Sequence, residues 1–456
     1  MLDIYFLEAI RMPVRKTLST IPCMLLLLSL AAAADAQDFT AIQEVMNGKR
    51  SDADASWWGF DAADSTAALQ AAIDSPAKRL LVPYMGKPWI VRPIRLRGDQ
   101  EIVFAPGVVV LAQKGEFRGP GDSLFTAEGV SNLILRGYGA TFRMWKSDYQ
   151  RPPYKKAEWR MGVALRGCRK VLIEGLRVEG TGGDGFYVDG GGGRLWSEDI
   201  TIRNCASADN HRQGISIISA VNLLVENCVF SGTSGTAPEA GIDLEPDAPN
   251  QRLVHCVIRN CVFENNRGHA MLVHLRKFDG STEPVSILFD HCLARMTGTG
   301  GGWAGMSVGA VNDAGPQGLI EFRDCTAENT GREAAKVYDK SAGGAKVRFV
   351  RCNWKNPWNA AASDYKGPRV PVLIEFRNPK LIARFGGVDF ENCKIFDRAD
   401  RPAIKVYEQH SAQGVQDLDG SIFVENPNGV RSDLGSVNGA GSSGLTVRKM
   451  GPARRP

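Results

Sequence analysis

Gly-Asp-Gly-Phe-Tyr-Val-Asp (183–189), Arg-Gln-Gly-Ile-Ser-Ile (212–217), Glu-Ala-Gly-Ile-Asp-Leu-Glu (239–245) and Gly-His-Ala-Met-Leu-Val-His (268–274) each place a small residue before a short alternating apolar run. Aligned on Gly185, Gly214, Gly241 and Ala270, these segments stand 29, 27 and 29 residues apart. The register continues at Gly305, Ala334 and Ala403. A repeat of roughly 20 to 50 residues marks a solenoid whose units bury their apolar faces only against neighbouring units. These units carry strands and turns rather than helical periodicity. Strands that return to the same place each turn stack in parallel ~4.8 Å apart, with alternate side chains pointing into and out of the coil. The sequence therefore predicts an all-β fold: a single-stranded, right-handed parallel β-helix.

A second strand type recurs and closes on cysteine: Ile200-Thr-Ile-Arg-Asn-Cys205, Leu224-Val-Glu-Asn-Cys228, Cys256-Val-Ile-Arg-Asn-Cys261, and so on through Cys292, Cys325, Cys352 and Cys393. One cysteine per turn in one column is a ladder. Of the ten cysteines, Cys23 precedes an apolar leader, which leaves an odd nine. A stack of buried thiols, each packing as a small apolar residue, is the expected arrangement, with one or more disulfides as the alternative. No C-x-x-C pair or Cys/His cluster has zinc spacing, so no metal is expected.

Residues 1–36 resemble a secretory signal. Arg11, Arg15 and Lys16 precede the apolar run Met24–Ala34, and Ala34-Asp35-Ala36 fits a small-x-small cleavage site. A secreted or periplasmic protein is expected, without a membrane anchor, since the run is shorter than the ~20 residues a span requires. Residues 37–78 form an N-terminal segment with a capping helix: Asp64 or Ser65 is its N-cap, Leu69 and Ile73 share a face, and Pro76 stops it. Residues 79–425 supply the coil. Residues 426–456, rich in Asn, Gly, Ser and basic side chains, form a weakly structured tail. That tail holds five basic residues and one acidic residue of a chain whose net charge is +5, so the body is nearly neutral. A nucleic-acid face would need a basic stripe. A monomer is expected.

Outward positions carry the chemistry. Ile242 and Leu244 must face inward, so Asp243 and Glu245 point out, ~6.6 to 7 Å apart along the strand. The same two columns hold Tyr187 and Asp189, Ser216 and Ile218, Leu272 and His274, then Ser307 and Lys336. Asp184, Arg212, Gln213 and His269 stand at the strand mouths, with Asp209 and His211 just before. A solvated strand face is ordinarily polar, but adjacent carboxylates repel, and Asp184, Asp189, Asp243 and Glu245 on one patch mark a site. Crowded carboxyls split their pKa values into an acid and a base, the pair that glycoside hydrolysis requires. Asp243, Glu245, Asp184 and Asp189 are thus the catalytic candidates. Tyr187, Asp209, His211, Arg212, Gln213, His269, His274 and Lys336 are the substrate-binding candidates. The partner is a polysaccharide, and hydrolysis requires no cofactor. A polysaccharide lyase or uronate epimerase is the alternative, with Ca²⁺ held by Asp209, Asp243 and Glu245, Arg212, His274 or Lys336 as base, and Tyr187 as acid. A non-catalytic glycan-binding coil is the third. The loop 149–159, rich in Pro, Lys and Tyr, is either an inter-rung insertion or a wall of a sugar groove.

The order of capping helix, strand ending Val82-Pro-Tyr84 and Gly-Tyr-Gly-Ala-Thr-Phe (137–142) resembles the start of exported pectin lyase-like superfamily proteins, which include pectate lyases and polygalacturonases. The resemblance covers about residues 60–425 and implies the same coil. Polygalacturonase-type hydrolases carry Asn-Thr-Asp, Asp-Asp, Gly-His-Gly and Arg-Ile-Lys on successive rungs. Here Gly183-Asp184, Asp209-Asn210, Gly268-His269-Ala270 and Arg276-Lys277 stand in their places, with the acidic rung of Asp243 and Glu245 added. The resemblance thus implies roles for Asp184, Asp209 and His269.

Overall fold

A computed structural model describes residues 37–296, 303–359, 366–380, 384–408, 415–434 and 444–450. The expected leader lies outside these residues. Apart from isolated bridges, every pairing between strands is parallel, and the strands fall into one sheet of 22 and one of 11. Each turn supplies one strand to the smaller sheet and two to the larger. One full turn runs Gln213–Ile217, Ala220–Glu226 and Val229–Ser231 before the chain re-enters the smaller sheet at Ala240–Leu244. This is the predicted β-helix, coiled in the right-handed sense that parallel crossovers take.

The bend between the two strands of the larger sheet explains the cysteine ladder. Asn204, Asn227, Asn260, His291, Asp324, Arg351 and Asn392 all adopt positive φ, and each immediately precedes a ladder cysteine. Asn and Asp tolerate this left-handed conformation best because their short side chains bond locally. The chain turns at that residue, and the next side chain drops into the coil. All nine described cysteines are buried and unbridged. Burial alone raises the Cys256 thiol to about 12, so it is inert at neutral pH. Beside the ladder, Phe289, Phe322, Phe349 and Phe390 stack rung on rung with centroids 4.7, 5.2 and 5.4 Å apart.

The helix Thr66–Asp74 buries Leu69, Ala72 and Ile73 against the N-terminal end of the coil. Ser65 takes the cap position, while the Asp64 carboxylate accepts the Thr66 amide at 3.0 Å. A second helix, Phe39–Met46, was not expected; Asp38 caps it by accepting from Ala41 N, and Ala41 and Val45 are buried. Strand pairing also exceeds the predicted limits at both ends. Asp52–Asp54 pairs with the first predicted strand, Arg79–Val82, and Thr446–Lys449 pairs with Ser421–Val424 inside the expected tail. Buried Ala53 and Leu445 tie these ends to the core. The repeat register needs one correction: Pro371 begins a rung between those of Ala334 and Ala403, because Val372–Phe376 pairs with strands on both sides. The longer connection before it hid this turn. Among the described residues no helix is long and apolar enough to cross a membrane.

The outer surface of the larger sheet is an ordinary solvated face. Its carboxylates lie across from arginines on neighbouring strands: Glu174 with Arg203 at 2.6 Å, Glu226 with Arg259 at 2.5 Å, Glu264 with Arg295 at 2.5 Å and Asp290 with Arg323 at 2.9 Å. Asp290, His291 and Asp324 bring three metal-ligating groups together, but Arg323 and Arg351 already engage both carboxylates.

Candidate active site

The smaller sheet sets its outward columns by register. Tyr187 pairs with Ser216, Ser216 with Asp243, Asp243 with Leu272, Leu272 with Ser307 and Ser307 with Lys336. Two residues on, Asp189, Ile218, Glu245, His274, Gly309 and Tyr338 form the second column. A third arises at the strand mouths. Gly185 and Gly214 lie against the interior, where a Cβ on Gly185 would meet Asn210 at 2.9 Å and one on Gly214 would meet Phe230 at 2.9 Å. With glycine pressed inward, the preceding side chains, Asp184 and Gln213, turn to the outer face. Ala240, His269, Ala304 and Glu333 follow in register.

This face is polar yet covered, the reverse of a solvated strand. Asp184 is 0% exposed and Asp243 is 1% exposed. Asp184 Oδ1 and Oδ2, Arg212 Nε, Ser216 Oγ, Asp243 Oδ1, His269 Nδ1, Ser307 Oγ and Glu333 Oε2 are all buried without a hydrogen-bond partner of good geometry. Native proteins leave few such groups, and each costs about 1–3 kcal/mol if nothing satisfies it. Their concentration over consecutive rungs is the signature of a surface shaped for a polar ligand.

Arg212 is the hub. Its Nη1 lies 3.7 Å from Asp184 Oδ2, its Nη2 3.5 Å from Glu245 Oε2 and its Nε 3.8 Å from Glu158 Oε1. Its own burial works against its charge, yet Asp184, Asp243, Glu158 and Glu245 together hold its pKa above the usual arginine range. Burial raises Asp184 to about 6, with the Arg212 charge opposing. Asp243 is pushed well above the carboxylate range, by burial first and by the charge of Glu245 next. Geometry supports the same protonation state. Gln213 Nε2 donates to Asp243 Oδ2 at 2.8 Å, and Gln213 Oε1 is fixed by Ala240 N at 2.7 Å. The remaining Asp243 oxygen finds no donor. The charge of Glu245, two residues along the same strand, favours the protonated form of Asp243.

Asp184 makes a pH prediction. Its folded pKa, about 6, lies above the ordinary aspartate value, so the folded state holds the proton longer and loses stability as pH rises from about 4 to 6. Two units amount to ~3 kcal/mol. In urea titrations, Asp184→Asn is expected to gain up to ~3 kcal/mol relative to wild type between pH 4 and pH 7, most of it below pH 6.5. Parallel stability curves for the two proteins would contradict the assignment.

The other predicted residues divide. Tyr187 Oη donates to Asp189 Oδ2 at 3.0 Å, and Gly190 N and Gln251 Nε2 donate to its other oxygen at 2.6 and 3.1 Å. Arg166 lies over the Tyr187 ring at 4.7 Å. Asp189 is therefore a satisfied carboxylate flanking the cluster, unlike Asp184 and Asp243. Ile218, Tyr187, Ala164 and Met161 form a small apolar cluster outside the coil. His274 Nδ1 meets Tyr338 Oη at 2.8 Å. Tyr338 reaches this position because Gly309 intervenes, where any Cβ would collide with its ring. Lys336 is paired with Glu375 at 2.6 Å, and His269 packs on Trp303 with centroids 5.0 Å apart.

Asp209 and His211 are not brought to the cluster. Asp209 has positive φ and meets Lys146 at 2.7 Å on an exposed turn. His211 is buried under the following loop, with Nε2 2.9 Å from Thr236 Oγ1. Among the described residues the predicted calcium set of Asp209, Asp243 and Glu245 does not bring its carboxylate oxygens within metal-sharing distance of one another, and Glu245 meets Arg212. Arg276 and Lys277 are exposed. In the loop 149–159, Tyr149 and Tyr154 are buried in an edge-on pair beneath Arg160, leaving Trp159 exposed and Glu158 turned to Arg212. Tyr338, Glu158 and Trp303 were absent from the predicted site. Tyr338 was the legible one, two residues beyond Lys336 on the same outward face.

Residues 155–307 match the family model described as the right handed beta helix region, a span that holds the whole Arg212 cluster. The A-module of the mannuronan C-5 epimerase AlgE4 from Azotobacter vinelandii superposes with a TM-score of 0.58 at 16% identity, over 88% of this chain and 98% of that one. The chain has the right-handed parallel β-helix fold. Other neighbours of that fold are a family 28 exopolygalacturonase from Yersinia enterocolitica (TM-score 0.51, 12% identity, 88% of this chain and 78% of that one) and the catalytic domain of a GH87 alpha-1,3-glucanase (0.56, 16%, 82% and 64%). At these identities the likeness is one of fold. Two Bacillus subtilis proteins align in part: the SPbeta prophage-derived protein YorA, 26% identical over 214 residues and 44% of this β-helix chain, and YclG, 34% identical over 121 residues and 24% of it. The matched stretches span about a third and a fifth of those relatives, 35% and 21% of their length.

Proposed function

We propose that this chain is an exported enzyme that hydrolyses a polysaccharide, with Asp243 as the general acid. The observation that carries this reading is a buried carboxyl whose second oxygen finds no donor, set on a face of unpartnered polar atoms. Asp243 delivers its proton to the leaving glycosidic oxygen, and Glu245, itself 36% exposed at the side chain, stabilises the proton beforehand. Because Asp243 and Glu245 project from one strand two residues apart, they do not flank a glycosidic bond from opposite sides. The base is therefore Asp184, ionised at neutral pH and separated from Glu245 by a single planar guanidinium. Arg212, 3.7 Å from Asp184 and 3.5 Å from Glu245, keeps the base apart from the acidic pair, as the ~6.5–9.5 Å spacing of inverting enzymes requires. Epimerase, polygalacturonase and glucanase activities among proteins of the same fold support a polysaccharide as the substrate class.

The test is incubation with mannuronan, polygalacturonate and α-1,3-glucan. New reducing ends without ultraviolet absorbance from an unsaturated ring are expected. Unsaturated products on the uronates, or a change of uronate configuration by NMR without cleavage, would replace hydrolysis with elimination or epimerisation.

One observation favours that second reading. The His274–Tyr338 contact places an imidazole and a phenol beside Glu245, with Arg377 4.7 Å from the phenol ring. Such a pair suits abstraction and return of a sugar-ring proton. Tyr187, expected to be the acid of such a reaction, is engaged by Asp189 instead. Gly309→Val, which displaces Tyr338, is expected to leave hydrolysis within about tenfold of wild type. Under the elimination reading the same change removes activity, by about 10²-fold or more.

A further inference from the structure

We infer that Trp303 and His269 form a pyranose-binding subsite on the C-terminal side of the carboxylate cluster, so that the sugar chain lies along the axis of the coil. The inference rests on the reading that this face binds polysaccharide, and it adds a direction and a specificity determinant.

A pyranose ring presents an apolar C–H face and a rim of hydroxyls, so it is held by an aromatic plane beside a few fixed polar groups. Trp303 is 38% exposed, a large apolar surface left open on an otherwise covered face. Its ring rests on His269 at 5.0 Å and an interplanar angle of 46°. His269 is 4% exposed, and its Nδ1 has no partner. Burial lowers its pKa to about 3, so the ring is neutral, and the unpartnered Nδ1 is left to meet a sugar hydroxyl. Ala240 and Ala304 flank His269 in its column, leaving room on either side. Ser307 Oγ and Glu333 Oε2, buried and unpartnered on the next two rungs, continue the polar rim. Leu272, outward yet 4% exposed, supplies an apolar floor.

The position fixes the path. The His269 strand is hydrogen-bonded to the Asp243 strand, and the Trp303 rung follows it. His269 stands one strand across from Asp243 and three residues along, so the subsite begins roughly 11 Å from the backbone of the proton donor and extends a further strand spacing away. A chain bound there crosses successive strands and passes over Asp243 towards Asp184 and Glu158.

The test compares wild type, Trp303→Ala and Trp303→Phe by calorimetry and by cleavage rate, using the disaccharide and hexasaccharide of mannuronate, galacturonate and α-1,3-linked glucose. Trp303→Ala is expected to weaken hexasaccharide binding about tenfold, or ~1.4 kcal/mol, with Trp303→Phe recovering most of it and thermal unfolding unchanged. Binding of the disaccharide, held at the carboxylates, is expected to change less than twofold. A full-affinity hexasaccharide complex in Trp303→Ala, or equal losses for both lengths, overturns the subsite while leaving the proposed function standing. A wild-type protein that neither binds nor cleaves any of the six sugars overturns both. Selective loss with the neutral glucan or with the uronates identifies which pyranose the subsite takes.

Discussion

Asp243→Asn is expected to abolish polysaccharide cleavage, by about 10²- to 10⁴-fold in kcat, the contribution of a positioned general acid. It is also expected to leave the fold intact. Asparagine keeps the carbonyl oxygen that accepts from Gln213 Nε2 and, like the protonated carboxyl, brings no charge to repel Glu245. Only the transferable proton is lost. Thermal unfolding should match wild type near pH 5 and exceed it slightly at high pH, where wild type must ionise a buried acid. A variant with more than a tenth of wild-type kcat would remove Asp243 from the reaction.

Arg212→Met is expected to lower both activity and stability, with a pH dependence that identifies the cause. Arg212 is the cation nearest buried Asp184, and breaking a buried pair from one side costs about 3–5 kcal/mol. Glu245 is exposed enough to be resolvated and adds little. Asp184 escapes part of the cost by taking up a proton. The destabilisation should therefore be about 1 kcal/mol or less at pH 4.5 and about 3 kcal/mol at pH 8, measured by urea unfolding. The double variant Arg212→Met, Asp184→Asn should recover most of the stability at pH 8 and none of the activity. A loss independent of pH would mean that Arg212 acts through packing alone.

The coil was legible because its signals are local and repeated: a small residue before each strand, period-two alternation, and an Asn or Asp whose left-handed bend drops the next cysteine inward. The turn at Pro371 escaped because the long connection before it broke the spacing, not because its strand is weak. The helix Phe39–Met46 carried its signal in Asp38 and in the Ala41 and Val45 face, but it lies next to the expected cleavage site, ahead of the single capping helix read in residues 37–78. For the site, period-two alternation sufficed to place Asp243, Glu245 and His274 outward. It could not show that Asp243 would be buried while Glu245 stays partly exposed, since strand alternation gives the side of the sheet and not what covers it. Nor could it separate Asp209 and His211 from the cluster, because a single left-handed residue at Asp209 redirects both. Tyr338 depends on a glycine one rung earlier, a relation between strands 29 residues apart that no single strand reveals.

The measurement that bears most directly on the account is isotope-edited infrared difference spectroscopy of the aspartate carboxyls at pH 7, comparing wild type with Asp243→Asn and Asp184→Asn. The account predicts one buried protonated carboxylic acid band that disappears in Asp243→Asn and persists in Asp184→Asn. A spectrum with no protonated aspartate at pH 7, or one whose band survives Asp243→Asn, would contradict it.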